Sequence, residues 1–306
     1  MRIKREIGKV IVGQETTIDL MLAGIFTGGH ILLEGVPGIA KTLTAKMVAR
    51  AVSASFSRIQ FTPDLMPTDV TGTTIFNIKT SEFNFSKGPI FANIVLIDEI
   101  NRAPAKTQSS LFEVMEERQI TVDGTTHLMD FPFLVIGTQN PIEHEGTYRL
   151  PEAQLDRFLF RLKLRYPTLE QEIDILKKFR NDFNSRALEE VHPVISIDDL
   201  RVCREVIEKV LIKDEIIVYI AQLVDNTRNN GDLLLGASPR ASLSIMRASK
   251  AIAAMSGRDF VTPDDVKYVA YPVLNHRIML TAEREMEGIE PEDVIKEITE
   301  KVEVPR

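Results

Sequence analysis

The sequence predicts a parallel α/β sheet flanked by helices over residues 1–166, followed by an all-helical domain over residues 167–306. Three observations carry this reading. Short apolar runs end in polar signatures: 31–33 at a glycine-rich turn, 94–97 at Asp98-Glu99, and 133–138 at Gln139-Asn140-Pro141. Helical stretches separate those runs, as a wound parallel sheet requires. From Pro167 the strand signal gives way to helical periodicity.

The first run, Ile31, Leu32 and Leu33, reads as a buried strand. Gly35, Val36, Pro37, Gly38, Ile39 and Ala40 make a tight turn. Lys41 and Thr42 then open an amphipathic helix through Leu43, Met47, Val48 and Val52. Strand, Gly-rich loop and helix in that order form a phosphate cradle, because backbone N–H groups point into the loop and the helix N-terminus adds its positive dipole end. Lys41 reaches β- and γ-phosphates there, and the Thr42 hydroxyl ligates Mg²⁺. The general pattern, G-x-x-x-x-G-K-[ST], has glycine where Ala40 stands. A Gly/Pro turn with a surface lysine is the competing reading, and the rest of the chain decides against it.

Residues 58–61 read as a second strand and residues 72–85 as a hairpin, with Ile75, Phe76, Ile78, Phe83 and Phe85 flanking a polar turn at 79–82. The apolar run before Asp98 suggests a strand covered on both faces. Carboxylates at the C-terminal edge of such a strand sit where open α/β sheets bind ligands. Asp98 would hold Mg²⁺ through water, and Glu99 would polarise the water that attacks a γ-phosphate. Residues 104–117 form a helix with Leu111, Val114 and Met115 inward. Residues 119–129 form a second hairpin, since Asp123-Gly124 supplies the positive φ of a type I′ turn. After the strand at 133–138, Asn140 is placed to orient the lytic water; an Asn-Pro turn is the alternative. Residues 158–164 make the last core strand.

In the second domain, helices are expected over 169–183, 198–210, 214–227, 239–255, 263–274 and 291–302, with a polar linker at 184–193. Asp198-Asp199 and Thr262-Pro263-Asp264-Asp265 are helix-start signals, so their acids read as caps rather than metal ligands. Cys203 shares a helical face with Leu200, Val206, Ile207 and Val210 and reads as a core residue.

The set Gly35-Val-Pro-Gly-Ile-Ala-Lys-Thr42, Leu96-Ile-Asp-Glu-Ile-Asn-Arg-Ala-Pro104, Gly137-Thr-Gln-Asn-Pro141 and Leu155-Asp-Arg-Phe158 resembles the MoxR family of AAA+ ATPases. The resemblance runs over nearly the whole chain, from Val12-Gly13-Gln14 past Ser238-Pro239-Arg240. Alanine before the phosphate-loop lysine is usual in that family. The resemblance implies a P-loop AAA+ core followed by a helical lid. It implies that Val12, Gly13 and Gln14 line an adenine pocket. It makes residues 35–42, followed by Leu43, the first Walker motif around ATP or ADP, and Asp98 with Glu99 the second. Asn140 resembles sensor 1. Arg157 resembles an arginine finger that reaches a neighbouring subunit's γ-phosphate, with Arg161 as the other candidate. Arg240 resembles sensor 2. The family also implies a homo-oligomeric ring of six, hairpins near a central pore, a partner with a von Willebrand factor A domain, and a chaperone-like role in assembling complexes or inserting metals.

Composition narrows the alternatives. The 306 residues are 44% hydrophobic and 26% charged, in the ordinary range for a globular chain of about two domains. No apolar window is long enough to span a membrane, and the first residues lack the apolar core of a signal peptide, so a cytoplasmic location is expected. One cysteine excludes an intrachain disulfide framework, and the dispersed histidines fit no zinc motif. A net charge of −7 counts against nucleic acid as the main partner. The second hairpin has Asp123 and Asp130 and no lysine or arginine, which counts against a nucleic-acid motor. A chelatase-like motor shares much of the architecture. A scaffold that binds nucleotide without hydrolysing it is disfavoured by Glu99 and Asn140.

Overall fold

A computed structural model describes residues 2–140, 150–180 and 190–305. Strand β1 (His30–Glu34) is buried along its whole length, as is β5 (Ile94–Asp98). Neither alternates polar with apolar, which is the signature of strands covered on both faces. With β2 (Phe56–Gln60), β8 (Leu134–Gln139) and β9 (Phe158–Lys163) they form one five-stranded sheet in the order β2-β5-β8-β1-β9. The β2–β5, β5–β8 and β8–β1 pairs are parallel. Helices α1 (Arg2–Ile7) and α2 (Glu15–Thr27) precede the strands, and α3 (Lys41–Ala51), α4 (Pro67–Thr71), α5 (Ala105–Glu117), α6 (Glu152–Leu155) and α7 (Leu169–Phe179) fall between and after them. Leu111, Phe112, Val114 and Met115 of α5 are buried, so this helix faces inward as its spacing predicts.

The two predicted hairpins are present. The first is β3 (Gly72–Asn77) with β4 (Glu82–Lys87), and the second is β6 (Gln119–Val122) with β7 (Thr125–Leu128). Asp123 and Gly124 both have positive φ (49° and 78°), as a type I′ turn demands. The hairpins touch: Thr74 Oγ1 donates to Asp123 Oδ2, and the Phe85 ring stacks on His127 at 4.3 Å. The end of the first hairpin exposes Ile78 and Phe83.

The second half of the chain contains α8 (Ile197–Glu208), α9 (Asp214–Arg228), α10 (Pro239–Met255), α11 (Pro263–Leu274), α12 (Ala282–Met286) and α13 (Pro291–Lys301). It also carries a short antiparallel ladder, β10 (Leu233–Leu235) with β11 (Met279–Leu280), which the helical reading of this half did not include. The expected caps form: Asp199 accepts from the Ser196 N–H and Asp265 from the Thr262 N–H. Cys203 is only half-buried and Val206 is exposed, whereas Leu200, Ile207 and Val210 are buried. The apolar face of α8 is therefore narrower than expected and leaves Cys203 at its margin. Pro141 and the first part of the 184–193 linker lie outside the described residues.

Two compact units emerge, one from residues 1–150 and 162–200, the other from 151–161 and 201–306. In the first, Lys178 Nζ donates to the Gly8 carbonyl and the Val194 N–H to that of Ala51. In the second, Asp156 pairs with Arg277. A single cut after residue 166 would sever both sets of bonds.

His30, at the start of β1, is buried between Met115 and Val135. Its Nε2 donates to the Met115 carbonyl while Nδ1 accepts from the Val135 N–H, which fixes a neutral tautomer. Burial, aided by Arg118, holds its pKa down at about 4, while the Met115 bond works the other way. Burial also holds His276 well below the ordinary range. The unfolded chain thus binds more protons between about pH 6.5 and about pH 4, and stability falls as pH falls through that window. His30 alone accounts for about 3 kcal/mol over it. Denaturant unfolding should show this loss, with a shallower slope in His30→Gln. A stability flat across the window contradicts a neutral, buried His30.

Candidate nucleotide site

The loop after β1 is built by backbone conformation. Gly38 has φ 86°. Ala40 has φ 60° and ψ 23° and stands immediately before α3. This left-handed conformation is where the general phosphate-loop pattern places its second glycine. An L-residue adopts it at a cost of about 1–2 kcal/mol, and Ala40 holds it here. Gln14 braces the loop from outside: its Nε2 donates to the Ile39 carbonyl and its Oε1 accepts from Thr44 Oγ1. Lys41 Nζ reaches back across the loop to the Gly35 carbonyl at 2.6 Å. Its ammonium is therefore already inside the curve of the loop.

Two clefts share this loop as a wall, and both belong to the first unit. The smaller measures about 390 Å³. Lys41 and Thr42 line it together with Arg58, Gln60, Asp98, Glu99, Thr138 and Asn140. The larger, about 830 Å³, is lined by Val12, Gly13, Gln14, Ile39 and Leu43 together with Tyr166, Ile175 and Phe179. A cleft that holds Lys41, Thr42, Asp98 and Glu99 beside a larger one that includes Tyr166, Ile175 and Phe179 matches the two ends of a nucleotide, phosphates in the first and a planar base in the second.

The carboxylates are held in place by a network. Thr138 Oγ1 donates to Asp98 Oδ1 and accepts from the Glu99 N–H, which joins the ends of β5 and β8. Arg58 Nε donates to Asp98 Oδ2 at 2.6 Å. Gln60 Nε2 donates to Glu99 Oε2 at 2.8 Å, and Arg102 pairs with the same oxygen. Glu99 has φ 57°, a strained conformation that turns its side chain out of the strand direction. Among the described residues no group of three or more His, Cys, Asp or Glu could cage a metal. Mg²⁺ does not need one, because it takes one or two protein oxygens and fills its octahedron with phosphate and water. Thr42 and Asp98, on the walls of one cleft, suit that role.

The structure thus gathers Lys41, Thr42, Asp98, Glu99 and Asn140 in one cleft, and Val12, Gly13 and Gln14 in the adjoining one. Arg157, Arg161 and Arg240 fall in the second unit. Sequence reasoning missed Arg58, Gln60 and Thr138. No local signal marks the first two: parallel pairing sets Gln60 opposite Asp98 and Arg58 opposite Leu96, which places both beside the last residues of β5.

Residues 30–160 match the family described as ATPase family associated with various cellular activities (AAA), and residues 225–298 match the AAA lid domain. The chain is 44% identical to Chaperone MoxR1 of Mycobacterium tuberculosis, over 98% of this chain and 81% of that one. It is 30% identical to Protein MoxR of Methylorubrum extorquens, over 99% and 94%. The chain belongs to the MoxR family of AAA+ ATPases. The chain is also 47% identical to Uncharacterized protein YeaC of Bacillus subtilis, over 98% of this chain and 92% of that one. A crystal structure of an ATPase candidate from Cytophaga hutchinsonii superposes with a TM-score of 0.92 at 45% identity, covering 100% of this chain and 94% of that one. Among the described residues no helix is long and apolar enough to cross a membrane.

In this MoxR-family cleft, Arg58 and a bound cation would compete for Asp98. A half-exposed ion pair is worth at most about 1 kcal/mol. Arg58→Ala should therefore lower the Mg²⁺ concentration needed for half-maximal ATP binding by up to about fivefold. A calorimetric Mg²⁺ titration in the presence of ATP reads this directly. An unchanged midpoint would mean that Arg58 does not restrain Asp98.

Proposed function

We propose that this chain is an Mg²⁺-dependent ATP hydrolase that works as a ring of identical subunits and remodels or matures a protein target. The observation that carries the reading is the single cleft shared by Lys41, Thr42, Asp98, Glu99 and Asn140. Lys41 places positive charge on the β- and γ-phosphates, and Thr42 with Asp98 holds Mg²⁺, which neutralises charge on the transferring group. Glu99 accepts the proton of the attacking water, and the Asn140 amide orients that water. Val12, Gly13, Gln14 and Leu43 face the base. Arg157, with Arg161 as the alternative, acts on the neighbouring subunit's γ-phosphate, and Arg240 adds a second contact. An arginine of this kind is worth about 10³–10⁵ in rate.

Six subunits, a von Willebrand factor A partner, and a role in complex assembly or metal insertion complete this reading, and family membership supports them. The two joined hairpins, with Ile78 and Phe83 exposed, are the surface offered to the client. A chelatase-like motor is the second reading. It is favoured by 28% identity to the Magnesium-chelatase subunit ChlI homolog of Methanocaldococcus jannaschii over 61% of this chain. Tetrapyrrole metallation with added partner subunits would select it. DNA-stimulated turnover that weakens with salt would select a nucleic-acid motor instead.

Mixing variants tests the shared site. Arg157→Ala and Lys41→Ala subunits should each be nearly inactive alone. Mixed, they should regain part of the wild-type turnover, because an intact finger then faces an intact phosphate loop. No rescue at any mixing ratio would contradict a finger acting between subunits.

A further inference from the structure

We propose that Arg277 is a positioning residue that, through Asp156, holds the Arg157 turn and the start of the Arg240 helix as one rigid piece. This rests on the reading of Arg157 and Arg240 as arginines that contact nucleotide.

All of the geometry lies within the second unit. The Arg277 side chain is 2% exposed. Its Nε donates to Asp156 Oδ1 at 2.7 Å. Nη2 donates to the carbonyls of Asp156 (3.0 Å) and Phe158 (2.6 Å), the residues on either side of Arg157. Nη1 donates to the carbonyls of Leu159 and Val273. One planar guanidinium therefore fixes the backbone before and after Arg157, which a flexible ammonium could not do at the same points.

The neighbours of Arg277 extend the grip. His276 Nε2 meets the Phe158 carbonyl at 2.9 Å, and Asn275 Nδ2 donates to the Arg161 carbonyl at 3.0 Å. Asn275, His276 and Arg277 thus clasp successive parts of residues 156–161, the stretch that carries both finger candidates.

Asp156 makes the link to the other arginine. Its second oxygen, Oδ2, accepts from Ser238 Oγ at 3.1 Å. Ser238 precedes α10, and Arg240 is the second residue of that helix. Serine at this position ordinarily caps its own helix. Here its side chain makes no cap bond and is directed to Asp156 instead. Arg240 also stands close enough to Arg277 for charge repulsion to help burial hold the Arg277 guanidinium below its ordinary range, with Asp156 opposing both. Keeping a cation buried beside another cation is costly. The arrangement fits a site in which a fixed spacing of arginines matters more than stability. A misplacement of about 1 Å at a reacting centre costs about 10²-fold in rate.

The test uses the full chain, with Ser238→Ala, Arg277→Lys, Arg157→Ala and Arg240→Ala alone and in combination. Ser238→Ala cuts only the bridge from Asp156 to α10, so it serves even if Arg277→Lys fails to fold. For each folded variant, kcat, KM for MgATP and Tm are measured. The expected result is a kcat lowered about 10–100-fold with KM within about twofold. With Arg157 and Arg240 both replaced by alanine, neither substitution should lower kcat further, because the groups it positions are gone. Wild-type kcat in Ser238→Ala and in folded Arg277→Lys, beside an inactive Arg157→Ala, overturns this proposal alone. So do losses that multiply with that of the Arg157→Ala, Arg240→Ala double variant. Unchanged kcat in Arg157→Ala removes the finger reading and this proposal with it.

Discussion

Glu99→Gln should bind ATP as wild type does and turn it over about 10²–10⁴-fold more slowly, the usual worth of a general base. The substitution is nearly isosteric, and the surroundings explain why its effect should be chemical. A glutamine at 99 still presents a carbonyl oxygen to Gln60 Nε2, and the backbone N–H still donates to Thr138 Oγ1. The strained backbone at φ 57° accepts glutamine as it accepts glutamate. What disappears is the negative charge, and with it the proton acceptor and the partner of Arg102. Single-turnover kinetics with a parallel binding isotherm separates the two effects. Turnover at the wild-type rate would remove Glu99 from the mechanism.

Lys41→Ala should fail at the earlier step. The ammonium lies inside the loop, 2.6 Å from the Gly35 carbonyl, so no rearrangement of the helix is needed for it to meet phosphate. Each charge-assisted contact it makes is worth about 1.5–3 kcal/mol, and two such contacts correspond to at least about a hundredfold in affinity. Calorimetry should show that loss, and the thermal stabilisation by nucleotide expected of the wild type should vanish. The nucleotide-free Tm is the control, since the bond to Gly35 is lost as well. A Kd within about twofold of wild type would place the phosphates somewhere other than this loop.

How much of this was readable beforehand depended on distance along the chain. The phosphate loop, the end of β5 and Asn140 announce themselves because each is a strand running directly into its functional residues. The turn at Asp123-Gly124 was readable for the same local reason. Arg58, Gln60 and Thr138 were not, because only the strand order brings them to Asp98 and Glu99. Arg277 and Asp156 are separated by 121 positions, and nothing local to either marks the pair. Helix α2 escaped notice for another reason. Leu20, Met21, Leu22, Ala23, Gly24, Ile25 and Phe26 are buried in succession, so no polar face reveals its period. The β10–β11 ladder is too short to outweigh the helices around it. Ala40 shows the converse: a departure from the general motif that the backbone absorbs by holding alanine where glycine is usual.

The central claim is that active sites are completed between subunits. It is tested most directly by ATP turnover per subunit measured against protein concentration, with particle size followed in parallel, with and without ATP and Mg²⁺. Specific activity that rises as the assembly forms is the predicted result. Constant specific activity from a particle that stays monomeric would contradict it and would mean that the cleft between Lys41 and Glu99 is sufficient by itself.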